Sequence, residues 1–393
     1  VSMFACLSAA RKAAARILAM AAMVWLAACE PIPMGGGGPS INTSRPVQVA
    51  LLVPAGSGNS SDAFLAQNFE NAARMAIADL QGAQIDLRVY NTGADPATTA
   101  AVATQAVNDG AKIILGPLYA ESANAAGLAV ANRGINVLAF SNNTAIAGGN
   151  VFVLGATFEN TANRLARYAV AQGDDRITIV HSDDIPGMAG RDAIASAVTR
   201  AGGTVAGVAS YPLSQQGILN GARGIVSTTR SNGGEAIFMT AGVNADLPIL
   251  ATVLPENGLN PADTQYIGLT RWDSLPQTLA LPGVQGGIFA VPDTAMQANF
   301  EARYAAAYGG TPHPLAGLAY DGIAAIGALV AAGNSDALTR SALTQAQGFQ
   351  GTSGIFRLNA NGTNTRGLAV ATIQNNQVVI LDPAPRAFGG AGL

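Results

Sequence analysis

The chain has 393 residues, of which 49% are hydrophobic and only 11% charged, and its formal net charge is −3. That composition excludes a disordered chain and is long enough for two lobes, each with a core of its own. Three of the 21 basic residues (Arg11, Lys12 and Arg16) sit in the first stretch, which leaves 18 against 24 acidic ones and no basic block for a nucleic-acid partner.

Residues 1–28 read as an export signal: the three cations are followed by an apolar core from Ile17 to Ala28. At about 12 residues that core is too short to span a bilayer. It ends in Leu26-Ala27-Ala28-Cys29, which resembles the bacterial lipobox, whose cysteine becomes the lipidated first residue after cleavage. The alternative is a plain secretory signal that happens to hold a cysteine. Cys6 lies inside the signal, so Cys29 is the single thiol of the mature chain, which excludes a disulfide scaffold and a cysteine zinc site. Residues 29–46 carry Pro31, Pro33, Gly35–Gly38 and Pro39 and read as a flexible tether. The expected location is the periplasm, with a lipid anchor in the inner or outer membrane.

From Val47 the pattern alternates between strand and helix. Val47 to Val53 is an apolar run closed by Pro54, and Asp62 to Leu80 places Leu65, Phe69, Ala72, Ala73, Ala76 and Leu80 on one helical face. Ile85 to Tyr90 reads as a strand, and Asp95-Pro96 opens a helix that stops at Asp109-Gly110. Helices end at Gly110, Gly134, Gly173 and Gly202, and strands follow at Ile113–Leu115, Asn136–Phe140, Ile177–Val180 and Thr204–Ala209. Further strands are expected at Ala236–Met239, Gln265–Gly268 and Gly287–Val291, then helices near Ala295–Tyr308 and Leu315–Ala332. This alternation predicts α/β lobes built on parallel sheets with helices on both faces. The end differs. Gly354–Leu358, Gly367–Gln374 and Gln377–Leu381, joined by turns at 359–362 and 375–376, predict an antiparallel C-terminal meander.

The stretch Ala111–Ser122, AKIILGPLYAES, organises the candidate site. A buried strand breaks at Gly116-Pro117, and Glu121-Ser122 opens an Ala-rich helix through Arg133. The first amides of such a helix bind polar or anionic groups at the strand end, although a connection with no ligand has the same local pattern. Other polar sets also follow strands: Tyr119, Glu121 and Ser122; Ser141, Asn142, Asn143 and Thr144; Asp183 and Asp184; and Thr270, Arg271, Trp272 and Asp273. Hydroxyls, amides and N–H groups suit a carboxylate, and a nearby Asp suits an ammonium. Each of these residues also reads as an ordinary helix cap.

Catalytic signatures fail. No Gly-x-Ser-x-Gly elbow, His-Glu-x-x-His or Gly-Lys phosphate loop occurs, and Gly56-Ser57-Gly58 lacks the third glycine of a dinucleotide loop. His181, Asp183 and Asp184 crowd one strand end too closely to converge on a metal ion, and His313, between Pro312 and Pro314, reads as a loop residue. No cofactor, no metal and no enzymatic activity are expected.

Several segments carry a resemblance. VALLVPAGSG, AVNDGAKIILGPLYAES, GINVLAFSNNTAIAGGNVF, the HSDD strand end and GLAYDGIAAIGAL together resemble the type I periplasmic-binding fold of leucine/isoleucine/valine-binding proteins of ABC importers, over about Val47 to Leu381. The resemblance implies two α/β lobes joined by three crossovers that close on a ligand by hinge motion. Its lobes would be 47–155 with 292–335 and 156–291 with 336–385. Within the fold, ILGPLYAES, FSNNTAIAGGNVFVLG, Trp272-Asp273 and the tail from GTSGIFRLNANGTNTRGLAV to DPAPRAF are similar to lipoproteins called penicillin-binding protein activators. The resemblance places the α-carboxylate of an amino acid at Ser122 and Ser141–Thr144, and Ile185-Pro186-Gly187 stands where many members have a Tyr-Gly. The expected ligand set is Tyr119, Ser122, Ser141, Asn142, Asn143, Thr144, Asp183 and Asp273, with lipidation at Cys29. The expected role is binding of a small amino-acid-like solute, with an ABC permease as partner. The alternative is activation of a bifunctional peptidoglycan synthase by protein contact.

Overall fold

The computed structural model describes residues 38–389. The export signal, Cys29 and the first part of the tether lie outside the described residues. From Gly38 the chain is packed: Ile41 is buried in the first core, and its N–H donates to the Ser335 carbonyl at 2.8 Å. The expected free tether therefore does not extend to residue 46, because Ile41 has apolar surface to bury.

The first lobe runs β1 (Val47–Val53), α1 (Ser60–Asp79), β2 (Ile85–Asn91), α2 (Pro96–Asn108), β3 (Ile113–Leu115), α3 (Ala120–Val130), β4 (Val137–Ala139) and β5 (Val151–Val153). Its sheet is wholly parallel, in the order β2-β1-β3-β4-β5, with Val49 opposite Ile113 and Ile114 opposite Val137. Successive side chains of β1 alternate between two cores. Val49, Leu51 and Val53 join Phe69 and Ile323, whereas Ala50 and Leu52 join Ala103, Ala126 and Val137. The period-2 alternation of a strand, buried on both faces, explains why β1 is apolar almost throughout.

The second lobe follows with α4 (Phe158–Gln172), β6 (Arg176–Ser182), α5 (Ile185–Arg200), β7 (Thr204–Tyr211), α6 (Gln215–Ser231), β8 (Ala236–Met239), α7 (Leu247–Glu256), β9 (Gln265–Gly268) and β10 (Ile288–Val291). The chain then returns to the first core through α8 (Thr294–Tyr308), α9 (Gly317–Ala331) and the short α10 (Arg340–Leu343). It ends with β11 (Phe349–Gly351), β12 (Gly354–Leu358), β13 (Asn364–Arg366), β14 (Ala369–Gln374) and β15 (Gln377–Asp382). The second sheet has the order β15-β14-β10-β9-β8-β6-β7 and is mixed, since β14 runs antiparallel to both β10 and β15. The result is a two-lobed α/β periplasmic-binding architecture, crossed three times, after β5, β10 and β13.

The C-terminal strands are antiparallel, as expected, but they divide between two sheets. β12 pairs with β11 and β13 in a small sheet, while the β14–β15 hairpin, turned by Asn375 and Asn376 at positive φ, extends the large one. The small sheet belongs to the first core, where Leu338, Leu343, Phe349, Phe356 and Leu358 are buried. Residues 337–358 therefore pack with the first lobe rather than with the second, where the resemblance places 336–385. The apolar faces of β11 and β12 decide this, because they have only the first core to cover them.

Candidate functional site between the lobes

In the first lobe the loops after β1, β3 and β4 lie side by side, because those strands are neighbours in the sheet. β3 is followed by Gly116 at φ +83, where an added Cβ would stand 2.3 Å from the Leu52 carbonyl oxygen. Only glycine fits there. The chain turns through Pro117 and starts α3 at Ala120. Tyr119 is its N-cap and provides no side-chain cap, whereas Asn59, Asp95, Thr157 and Asp184 cap α1, α2, α4 and α5. The leading amides of α3 are left for another acceptor.

The Tyr119 hydroxyl donates a short hydrogen bond to one oxygen of Asp62, and Ser57 donates to the other at 2.7 Å. Asp62 is only 4% exposed, in the first turn of α1. The hydrogen bond to Asp62, followed by burial and its charge, pushes the Tyr119 phenol up to about 12. Ser122 faces inward, 1% exposed, among the buried small residues of α3, and its hydroxyl has no partner among the described residues. It does not reach the surface of the cleft. Ser141 is buried and accepts the Asn143 N–H at 3.1 Å, Asn143 in turn accepts the Ala145 N–H at 2.9 Å, and Asn142 is exposed. The Thr144 hydroxyl reaches over to Glu159 of α4 at 3.4 Å.

In the second lobe Asp183 is exposed after β6. Asp184 caps α5 through the Gly187 N–H at 2.9 Å and accepts the Ser182 hydroxyl at 2.6 Å, which holds its carboxyl below the usual range. His181 is buried, with Nδ1 at 2.9 Å from the Ser182 carbonyl, so these side chains serve the local backbone. After β9, Asp273 receives both arms of Arg271, at 2.9 and 2.5 Å. Trp272 is fully buried beside Phe289, at 5.8 Å between ring centroids.

A cavity of about 310 Å³ lies between the lobes. Arg271 reaches it from the second lobe, Thr311, His313 and Leu318 from the first, and Ala156, Pro292 and Leu368 from the three crossovers. Asp321 and Arg366 also line it and form an ion pair. Burial pushes the His313 imidazole below its ordinary value. None of the eight residues expected to hold ligand lines this cavity. The sequence marks Arg271 among its strand-end neighbours and makes His313 a loop residue, whereas Asp62 and Arg366 carry no local signal.

A family model described as periplasmic binding protein matches residues 46–377. The chain belongs to the periplasmic binding protein family. Among solved structures it is similar to a branched chain amino acid ABC transporter periplasmic ligand-binding protein from Burkholderia xenovorans (16% identity, TM-score 0.63, covering 88% of this chain and 97% of that one). It is similar also to an ABC transporter substrate-binding protein from Desulfitobacterium hafniense in complex with Leu (16%, 0.60, 86% and 100%). A third is a solute-binding protein of an ABC transporter from Rhodopseudomonas palustris in complex with 3,4-dihydroxybenzoic acid (18%, 0.53, 86% and 98%). No curated protein matches the sequence. This periplasmic binding protein has no helix, among the described residues, that is long and apolar enough to cross a membrane.

Proposed function

We propose that this periplasmic binding protein captures a small amino-acid-like carboxylate between its lobes and delivers it to an ABC permease while anchored through Cys29. The observation that carries the reading is the uncapped start of α3 beside the β4 loop. Phe64 is 54% exposed on the first lobe and Ile185 80% on the second, both where a strand-end loop enters a helix. Free amides suit a carboxylate, and exposed apolar side chains suit an apolar or aromatic body. Two of the similar structures hold ligands of that kind, leucine and a benzoic acid. Asp183, Asn142 and the loop from Ser141 to Thr144 remain the polar groups proposed for the ligand, with Tyr119 held in place by Asp62. Asp273 contributes through Arg271, whose charge it balances.

A thermal-shift and calorimetric screen of amino acids and aromatic acids tests this. A cognate ligand at a hundredfold excess over its Kd stabilises the fold by about 2.7 kcal/mol. Ser141→Ala with Thr144→Val should abolish that gain, at a cost of roughly 1 kcal/mol to the free protein because the buried Ser141 holds the Asn143 N–H. A silent screen on folded protein rejects solute capture. Retention of a bifunctional peptidoglycan synthase on the ligand-free protein would then put a protein partner in its place.

A further inference from the structure

A second cavity, of about 470 Å³, opens where α4, the end of α5 and the β12–β13 hairpin meet. Every residue that lines it is polar or charged, in contrast to the cavity between the lobes. Five arginines contribute (Arg164, Arg167, Arg200, Arg357 and Arg366), and Glu159 is the only carboxylate on its wall among the described residues.

The pairing of these guanidiniums is uneven. Arg366 is matched by Asp321, and Arg164 by Asp382 at 2.6 Å and the Leu368 carbonyl at 2.7 Å. Three have no carboxylate partner among the described residues. Arg200 bonds the neutral side chains of Asn163 and Ser196, and Arg357 lies over the Phe388 ring at 4.8 Å. Arg167 has no hydrogen-bond or ion-pair partner at all among the described residues. These cations line one cavity, and burial together with the charges of Arg164, Arg200 and Arg357 lowers the affinity of Arg167 for a proton. Arginine stays charged under such pressure, so the cavity holds a focused positive potential.

We infer that this cavity is a binding site for a soluble phosphate-bearing polyhydroxyl anion, of the sugar phosphate class. Guanidinium forks match the paired oxygens of phosphate, and a dianion offsets most of the unpaired charge. Thr363, Asn359 and Asn361 supply a hydroxyl and amides around the rim for neutral hydroxyl groups. A neutral sugar leaves the charge uncompensated, and so does a zwitterionic amino acid, whose net charge is zero. Thr144, proposed above for the cleft solute, also stands on this wall, but Arg167, Arg200 and Arg357, which carry the inference, are not among the groups proposed for the cleft.

Calorimetry on the whole folded chain with glucose 6-phosphate, glucose and inorganic phosphate tests the assignment. Glucose 6-phosphate should bind at least tenfold more tightly than inorganic phosphate, with glucose silent, and affinity should fall as salt is raised. Arg167→Gln with Arg357→Gln should weaken glucose 6-phosphate at least tenfold without lowering the melting point of the free protein. If that double variant does not fold, Arg200→Gln, on the exposed end of α5, should weaken binding in the same direction. Absence of glucose 6-phosphate binding, binding that these variants leave unchanged, or binding only to phosphatidylglycerol vesicles overturns it. Binding of a cleft solute to the same variants should be unaffected, so the two sites fail separately.

Discussion

Arg366 and Asp321 form a buried ion pair, 3.3 Å between nitrogen and oxygen, where the third crossover meets α9. Asp321 also accepts the Thr352 N–H at 2.7 Å, and Arg366 donates to the Leu154 carbonyl at the first crossover. Burial raises the Asp321 carboxyl, against the opposing pull of Arg366 and Thr352. One guanidinium thus joins two of the three connections between lobes to a helix of the first core.

Breaking that pair from one side leaves a buried charge without its partner. Asp321→Asn should destabilise the fold by about 3–5 kcal/mol, whereas Asp321→Leu with Arg366→Met should cost much less. Urea unfolding measures both. A loss below about 1 kcal/mol in the single variant would show that the pair does not hold the crossovers.

Tyr119 should ionise late. Its folded value, about 12, lies above the ordinary 10, so the hydrogen bond to Asp62 is fully present below pH 10 and is lost as pH rises through about 12. The difference in absorbance at 295 nm between wild type and Tyr119→Phe isolates this phenol. Asp62→Asn should bring its midpoint back toward 10, and a wild-type midpoint already near 10 refutes the coupling.

Gly116→Ala should cost about 1–3 kcal/mol, because it forces a Cβ into the Leu52 carbonyl at a left-handed backbone position. The measurement is the urea midpoint. An unchanged midpoint would mean that the turn after β3 moves freely.

Lipidation at Cys29 is tested by Cys29→Ser, which should leave the precursor uncut by the lipoprotein peptidase, and by globomycin, which should make the unmutated precursor accumulate. Mass spectrometry that finds an unmodified thiol at a free N-terminus ends the proposal.

Much of the fold was legible because its signals are local. Val47–Val53, Ala236–Met239 and Gln265–Gly268 are strands with the bounds the apolar runs predict, and Asp95-Pro96 caps its helix as the residue types require. Hydrophobic period and helix caps act between neighbours in the chain, so the residues alone determine them. The alternation that results leads to two parallel-based lobes. The sharing of strands between sheets was decided by packing: the small sheet of β11–β13 joins the first core because Phe349 and Phe356 have apolar surface to cover there. The side chains of the site were decided in the same way. Whether Ser122 faces inward and whether Thr144 reaches Glu159 depends on atoms brought together only by the tertiary fold. The sequence by itself determined the elements and the edge of the sheets where polar loops gather. Only the tertiary structure decided which charges are balanced, since Arg164 finds Asp382 and Arg366 finds Asp321 across long stretches of chain, while Arg167, Arg200 and Arg357 find no carboxylate among the described residues.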